Sequence, residues 1–312
     1  MDRTNPVFVA GADTLIGAAI ITALRRDGYD VLDGSGELDL RQQASVSAFF
    51  ARHAPRRVIV AAGKAAGITG NQRYPADLIY DNLLIATHVV HEAFAHGTRR
   101  LMYLASSCSY PKLAPQPMHP DALLTGPLEP TNRSYGVAKL AAIQLCEAYR
   151  QQHGVEFFAA IPADAFGPGD DFSPEDSHVV GGMMRRMHES TLAGAPTFDI
   201  WGSGQQRREF IYVDDLASAC VFAMQRHKGG TINLGGGRDI SIAELAAILK
   251  RVVGYRGVLR FDTSKPDGMP FKALDSTALT SLGWRPSVPF EDALQRTYQW
   301  FLEHHPAGAP HA

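Results

Sequence analysis

Apolar positions in the first half of the chain fall into short runs separated by amphipathic stretches. Val7 to Ala10 is one such run and ends at Gly11; apolar residues then recur at helical spacing from Thr14 to Arg26 until Gly28 stops the pattern. Tyr29 to Asp33 reads as a second strand, Ser45 to His53 as a helix, and Val58 to Val60 as a third strand closing on Ala61-Ala62-Gly63. A long helix near Ala76 to His96, a strand at Leu101 to Leu104, a helix from Ser134 to Gln152 and a strand at Phe157 to Ile161 continue the alternation. Uninterrupted apolar strands alternating with one-faced helices predict a parallel sheet covered on both sides. The expected fold class is α/β, a Rossmann-like doubly wound parallel sheet. A smaller mixed α/β C-terminal region follows it, because beyond Pro162 the rhythm breaks into the loop GPGDDFSPEDS and helices near 242–253 and 290–304. The closing HHPAGAPHA, residues 304–312, has turn composition and reads as a flexible tail.

Composition narrows the class. Over 312 residues, 45% are apolar, and 30 Lys and Arg face 32 Asp and Glu, a net charge of -2. A nucleic-acid or anionic-membrane surface would need a basic excess, so neither partner is expected. Cys108, Cys146 and Cys220 are odd in number and far apart, which suggests neither a disulfide framework nor a zinc knuckle. His91 and His96 are five apart, off the spacing that places two histidines on one helix face, so no metal site is expected. The longest apolar stretch, Leu15 to Leu24, is about half a membrane span, and the first residues lack a signal-peptide core. A cytoplasmic globular protein is expected.

Gly11-Ala12-Asp13-Thr14-Leu15-Ile16-Gly17 joins the first strand to the first helix. Glycines there let backbone approach a pyrophosphate, and the free amides and dipole at a helix start favour an anion. A tight turn without a ligand has the same pattern, since Thr14 replaces the usual middle glycine. Asp33 lies 22 residues after Gly11, at the end of the second strand, where a carboxylate can hold ribose hydroxyls. The expected organisation is therefore a dinucleotide-binding domain of residues 1–163 plus about 209–237. Residues 164–208 and 238–303 then form a substrate region.

In Ser134-Tyr135-Gly136-Val137-Ala138-Lys139 a tyrosine and a lysine are four apart, on one helix face. A neighbouring ammonium favours phenolate, so a lowered Tyr135 pKa is expected. Ser106 follows the strand Leu101 to Leu104 at its carboxyl end, the edge where such sheets place their sites. It can hydrogen-bond the oxygen that Tyr135 would protonate.

Together these residues resemble the extended short-chain dehydrogenase/reductase superfamily, and more narrowly the GDP-L-fucose synthase family of 3,5-epimerase/4-reductases. The resemblance spans roughly residues 6–303. It is carried by Tyr74-Pro75-Ala76-Asp77-Leu78-Ile79-Tyr80, Ser106-Ser107-Cys108-Ser109-Tyr110-Pro111-Lys112-Leu113-Ala114 and Leu128-Glu129-Pro130-Thr131-Asn132. Asp176-Ser177-His178-Val179, Trp201-Gly202-Ser203-Gly204, Arg208-Glu209-Phe210, Val213-Asp214-Asp215, Lys265-Pro266-Asp267-Gly268 and Tyr298-Gln299-Trp300-Phe301-Leu302 extend it.

The resemblance implies Ser106, Tyr135 and Lys139 as the reductase triad, and Cys108 and His178 as base and acid of epimerisation. It implies a cofactor held by Gly11, Thr14, Leu15, Ile16, Gly17, Asp33, Asp39, Leu40, Ala61, Ala62, Gly63, Tyr135, Lys139, Pro162 and His178. Ser107, Asp164, Arg186, Trp201, Arg208 and Lys272 would line a nucleotide-sugar site, with Arg208 as the diphosphate clamp. A GDP-sugar substrate and a homodimer through helices 76–96 and 134–152 are likewise implied. Read without the resemblance, Cys108 and Trp201 could equally be core, and His178 a surface residue at a helix start. Cys146 and Cys220 read as core.

Four positions depart from the family pattern: Thr14; Asp13 in place of an arginine near the adenosine 2′-phosphate; Asp164 where Pro-Thr-Asn would give asparagine; and Phe271 before Lys272. An ionised Asp164 beside a diphosphate would be repulsive unless protonated or paired. The family implies NADP(H). Asp13, Asp33 and the absence of basic residues after the second strand point instead to NAD(H), with Arg25, Arg26 and Arg41 the nearest cations. A single-function 4-ketoreductase or epimerase on another sugar is the alternative, and a non-catalytic dinucleotide-binding protein a weaker one, since both Tyr135 and Lys139 are present. A 4,6-dehydratase is disfavoured because Ser107-Cys108, rather than an Asp-Glu pair, follows Ser106.

Overall fold

The computed structural model describes residues 5–305 except 35, 37, 175, 176, 266 and 268. Strands β1 (Val7–Ala10), β2 (Val31–Leu32), β3 (Arg57–Val60), β4 (Arg100–Leu104) and β5 (Glu156–Pro162) alternate with helices α1 (Leu15–Arg26), α2 (Gln43–His53), α3 (Ile68–Arg73), α4 (Pro75–Ala95) and α5 (Arg133–His153). Then come β6 (Asp164–Phe166), α6 (Val179–Leu192), β7 (Thr197–Trp201), β8 (Arg207–Tyr212), α7 (Val213–Arg226), β9 (Ile232–Leu234), β10 (Asp239–Ser241) and α8 (Ile242–Val253). The last elements are β11 (Val258–Asp262), β12 (Phe271–Lys272), α9 (Thr277–Ser281) and α10 (Phe290–His304).

One six-stranded sheet has the order β2-β1-β3-β4-β5-β9, and every pairing in it is parallel. The central strands are buried on both faces, as the unbroken apolar runs require. The chain leaves β1 toward β2 and returns on the other side to β3, so the strand order reverses between β1 and β3. A crevice for ligands opens beyond the carboxyl ends of strands at such a reversal. Three further strands surround β8, which pairs with β10 antiparallel and with β6 and β12 parallel, while β7 and β11 pair by themselves.

There are two hydrophobic cores. The larger packs helices on the six-stranded sheet, and α7, β9, Leu279 and Trp284 join it from the second half of the chain. The smaller gathers Phe166, Met184, Leu245 and Leu294 from α6, α8, α10 and the β8 sheet. Among the described residues no helix is long and apolar enough to cross a membrane.

Two readings of the pattern need correction. The second strand is only Val31–Leu32, because Gly28 takes φ 79° and the Tyr29 amide turns back to the Leu24 carbonyl, closing α1. Helices α6 and α7 also went unread: α6 buries methionines and glycines instead of a clear Leu/Ile stripe. His304, placed in the expected tail, instead ends α10 and stacks on Trp300 at 4.1 Å; residues 306–312 of that tail lie outside the described ones.

Candidate active site

The β1–α1 turn is made by backbone. Gly11 has φ 96°, and a Cβ there would lie 2.5 Å from the Ala62 amide nitrogen after β3. A Cβ on Gly17 would sit 1.9 Å from the Gly11 carbonyl oxygen. Thr14 needs no glycine: at φ -87° it is an ordinary N-cap, accepting from the Gly17 amide at 3.0 Å and donating to the Gly11 carbonyl at 2.8 Å. The departure at Thr14 thus ties the loop instead of opening it. The amides of Leu15 and Ile16 have no partner among the described residues and face the start of α1. Across the crevice, a Cβ on Gly63 would lie 2.4 Å from Asn82 Oδ1 and 3.1 Å from Lys139 Nζ. Asn82 Oδ1 is buried with no partner among the described residues. A bare strip at Gly11, Gly17 and Gly63, free helix-start amides and an unanswered buried oxygen fit a dinucleotide.

Ser106 follows β4 in extended backbone and accepts the Cys108 amide at 3.2 Å, starting a 3₁₀ turn over Ser107–Ser109. This turn lifts Cys108 to the sheet edge while Ser107 stays buried. On α5, Gly136 lets the helix meet that turn: a Cβ there would lie 2.6 Å from the Cys108 carbonyl oxygen. The Ser106 side chain lies close enough to the Tyr135 hydroxyl to favour its ionised form. Lys139 Nζ donates to the Leu104 carbonyl at 3.2 Å and sits 5.8 Å from the Tyr135 ring centre. The expected lowering of the Tyr135 pKa is not found. Burial pushes it up, Cys108 and Asp164 add to that, and only Ser106 opposes. Lys139 is itself pulled down to about 8 by burial, so its charge is weakest where the phenol needs it.

Cys108 meets three groups. Asn132 Nδ2 donates to its sulfur at 3.1 Å, and Tyr135 and the Lys272 ammonium both feel its charge. Lys272 Nζ is 3.0 Å from Asp164 Oδ1, which pairs the carboxylate that would otherwise repel a diphosphate. Burial raises the Asp164 pKa, but Lys272, His178 and Arg208 together outweigh it and hold it below the usual carboxylate range. His178 is the exposed N-cap of α6, and its charge also reaches buried Asp170. Desolvation there wins, pushing Asp170 up to about 6.

The remaining expected residues lie on the loops after the sheet strands and on α6, β7 and β8. Arg208 faces Lys272 in the β8–β12 register, with its guanidinium donating to the carbonyls of Arg207 and Met269 at 2.8 and 2.7 Å. Arg186 lies over the Phe198 ring at 5.2 Å, and Trp201 is 66% exposed at the end of β7, so it is not core. Ala61 and Ala62 follow β3, and Pro162 ends β5. Asp39 is held by Arg41 through two contacts of 3.0 and 3.1 Å, with Leu40 between them. Asp33 is not bare: Arg25 reaches it at 3.0 Å from the last turn of α1. His91 contacts the Tyr149 hydroxyl at 2.7 Å and His96 pairs with Glu92, which occupies both histidines of the near-miss zinc spacing. Sequence reasoning missed Asn82, Asn132 and Asp170; Asn82 shares the buried face of α4 with Asp81 and Glu92, so no lone polar position in an apolar stripe marked it.

Residues 7–235 match the NAD dependent epimerase/dehydratase family. The chain is 48% identical over 305 residues to GDP-L-fucose synthase 1 of Arabidopsis thaliana, covering 97% of this chain and 94% of that one. Its fold is similar to a GDP-6-OMe-4-keto-L-xylo-heptose reductase from C. jejuni, with TM-score 0.90, 30% identity, and 97% and 99% of the two chains covered. It is also similar to a GDP-L-fucose synthetase from Naegleria fowleri bound to NADP, with TM-score 0.89, 26% identity, and 97% and 94% covered. The chain belongs to the NAD dependent epimerase/dehydratase family. Within that family, the Arabidopsis relative places it among the GDP-L-fucose synthases.

Proposed function

We propose that the protein is a nucleotide-sugar 3,5-epimerase/4-reductase acting on a GDP-4-keto-6-deoxyhexose in the cytoplasm. The observation that carries the reading is the junction at one sheet edge of Ser106, Cys108 and Tyr135, with Ser106 close enough to lower and Cys108 close enough to raise the Tyr135 pKa. Residues 1–163 with 209–237 would hold the cofactor and 164–208 with 238–303 the nucleotide sugar. Cys108 Sγ as thiolate removes the proton from a carbon flanking the C4 ketone, and Tyr135 and Ser106 hydrogen-bond the enolate oxygen that results. His178 returns a proton to the opposite face, and the sequence repeats at the other flanking carbon. Gly11 to Gly17, Gly63 and Lys139 would hold a nicotinamide cofactor, which when bound would supply hydride to C4. Tyr135 gives its proton to the C4 oxygen, a role suited to a phenol whose burial keeps it protonated. Arg208, Arg186, Ser107 and Trp201 would hold the nucleotide diphosphate and sugar, with Lys272 neutralising Asp164.

Incubation with keto-sugar in deuterated water tests this reading. Cys108→Ser should lose deuterium uptake at C3 and C5 while hydride transfer persists and gives an un-epimerised sugar. Normal uptake in this variant overturns the Cys108 role and favours a single-function 4-ketoreductase. That second reading draws on the C. jejuni heptose reductase and on Phe271 and Asp164 at the expected sugar site.

For the cofactor, the proposal is that NADH serves at least as well as NADPH, with Asp33 responsible. A carboxylate opposes the 2′-phosphate and accepts from a free 2′-hydroxyl. Arg25 beside Asp33 and the NADP-bound Naegleria relative pull the other way. Comparing kcat/KM for both cofactors in the wild type, Asp33→Ser and Arg25→Ala decides it; a strong NADPH preference indifferent to Asp33→Ser refutes it. A homodimer through α4 and α5 is also proposed, resting on exposed Tyr80 and Val137. A monomeric mass in light scattering at micromolar concentration removes it.

A further inference from the structure

Asn132 occupies the N-cap of α5, yet its side chain makes no cap hydrogen bond. Asparagine is among the strongest N-cap residues because its oxygen takes an amide of the first turn. Here Nδ2 points instead to Cys108 Sγ at 3.1 Å, and Oδ1 is buried without a partner among the described residues. A residue that gives up both its cap and the satisfaction of its own oxygen is held in place for another contact, and among the described residues its side-chain hydrogen bond is to sulfur.

We propose that Asn132 is a positioning residue for epimerisation: its amide N–H holds the Cys108 sulfur as thiolate and aims it at the substrate C–H. The inference rests on the reading of Cys108 as the base. In the step, a sulfur lone pair takes the proton, the C–H electron pair moves into the enolate, and the sulfur becomes a neutral thiol. The N–H contact is strong to thiolate and weak to thiol, so it favours the state that starts the step. The charged and titratable groups facing the sulfur are Lys272 from β12 and Tyr135 from α5, with Asp164, Arg208 and His178 behind Lys272. Lys272 is already engaged by Asp164, so Asn132 is the donor in direct contact.

Two measurements test the proposal, one needing no substrate. The other thiols, Cys146 and Cys220, are fully buried and pushed up by burial, so alkylation by iodoacetamide near neutral pH reports Cys108. Asn132→Leu, close in size but without a donor, should slow this alkylation about 10- to 100-fold near neutral pH and move its pH profile upward. Deuterium uptake at C3 and C5 should fall with it, while reduction of an already epimerised keto-sugar is retained. Asn132→Asp should act in the same direction, and Asn132→Gln should recover part of the loss. Unchanged alkylation in Asn132→Leu at an unchanged melting temperature overturns the proposal, as does equal loss of both activities in a fold that melts as the wild type does. If Asn132→Leu fails to fold, Asn132→Asp carries the same decision. If the wild type shows no deuterium uptake while its alkylation depends on Asn132, the epimerase reading fails and the sulfur–amide coupling stands.

Discussion

The cofactor turn and the reaction pocket are built by opposite means. The turn lies within residues 10–17 and 61–63, and backbone does its work: glycines that leave room, amides left open at the start of α1, and one threonine that ties the loop. The pocket is made of side chains from residues 106–108, 132–139, 164, 178, 208 and 272, brought together by five different strands and helices and the 3₁₀ turn at Ser107–Ser109. A backbone site tolerates little change in shape, because a Cβ has nowhere to go. A side-chain site tolerates little change in charge, because each group sets its neighbour's protonation.

The largest break in that comparison should come from Tyr135→Phe. Removing only the proposed proton donor should lower the reduction rate by about 10²- to 10⁴-fold while cofactor affinity stays near the wild type. Turnover near the wild-type rate in stopped-flow assays with keto-sugar would remove Tyr135 from its role. Gly11→Ala should do the reverse, damaging binding and fold together. Its φ of 96° and the 2.5 Å approach to Ala62 call for a loss of about 1–3 kcal/mol in denaturant unfolding, with cofactor affinity lost in calorimetry. A stable Gly11→Ala protein that binds cofactor normally would show that the turn is not rigid.

Lys139→Met sharpens the contrast, since it should stabilise the fold while ending activity. The folded pKa of Lys139 is about 8 against an ordinary 10.5, so the native state carries the cost of a buried charge below pH 8. Between pH 8 and 10.5 the unfolded chain holds the extra proton, so wild-type stability rises with pH and the cost fades. The variant should therefore be more stable by about 1–2 kcal/mol near neutral pH and equal to the wild type above pH 10.5. Equal stability at all pH values would mean that Lys139 is better compensated than its single carbonyl contact suggests. The smallest effect belongs far from both regions. Ser241 and Glu244 form a capping box on α8, and Ser241→Ala should cost about 1 kcal/mol with kcat/KM unchanged.

Much of the turn was legible in the chain, because it is local. Gly11, Gly17 and Gly63 punctuate apolar runs, and Tyr135 and Lys139 are one helical turn apart whatever surrounds α5. Less of the pocket was legible. Asn132 reads as a helix cap, and its neighbours in sequence do not show that a sulfur 24 residues earlier takes its amide. Asp164 reads as a repulsive charge until Lys272, 108 residues later, is found beside it. Asp33 likewise reads as a carboxylate with cations only nearby in sequence, until α1 brings Arg25 back to the end of β2.

The sequence by itself determined the alternating α/β order, the position of the phosphate-type turn and the set of chemical groups at the sheet edge. These follow from periodicity and from residues whose constraints act within one turn or strand. Tertiary structure alone decided the electrical state of those groups. Whether Tyr135 is pulled toward phenolate or held as phenol depends on how far packing excludes water from it, and on charges from β6 and the turn after β4. Desolvation and Coulomb energy depend on distances in space, and strand order, not spacing along the chain, sets those distances.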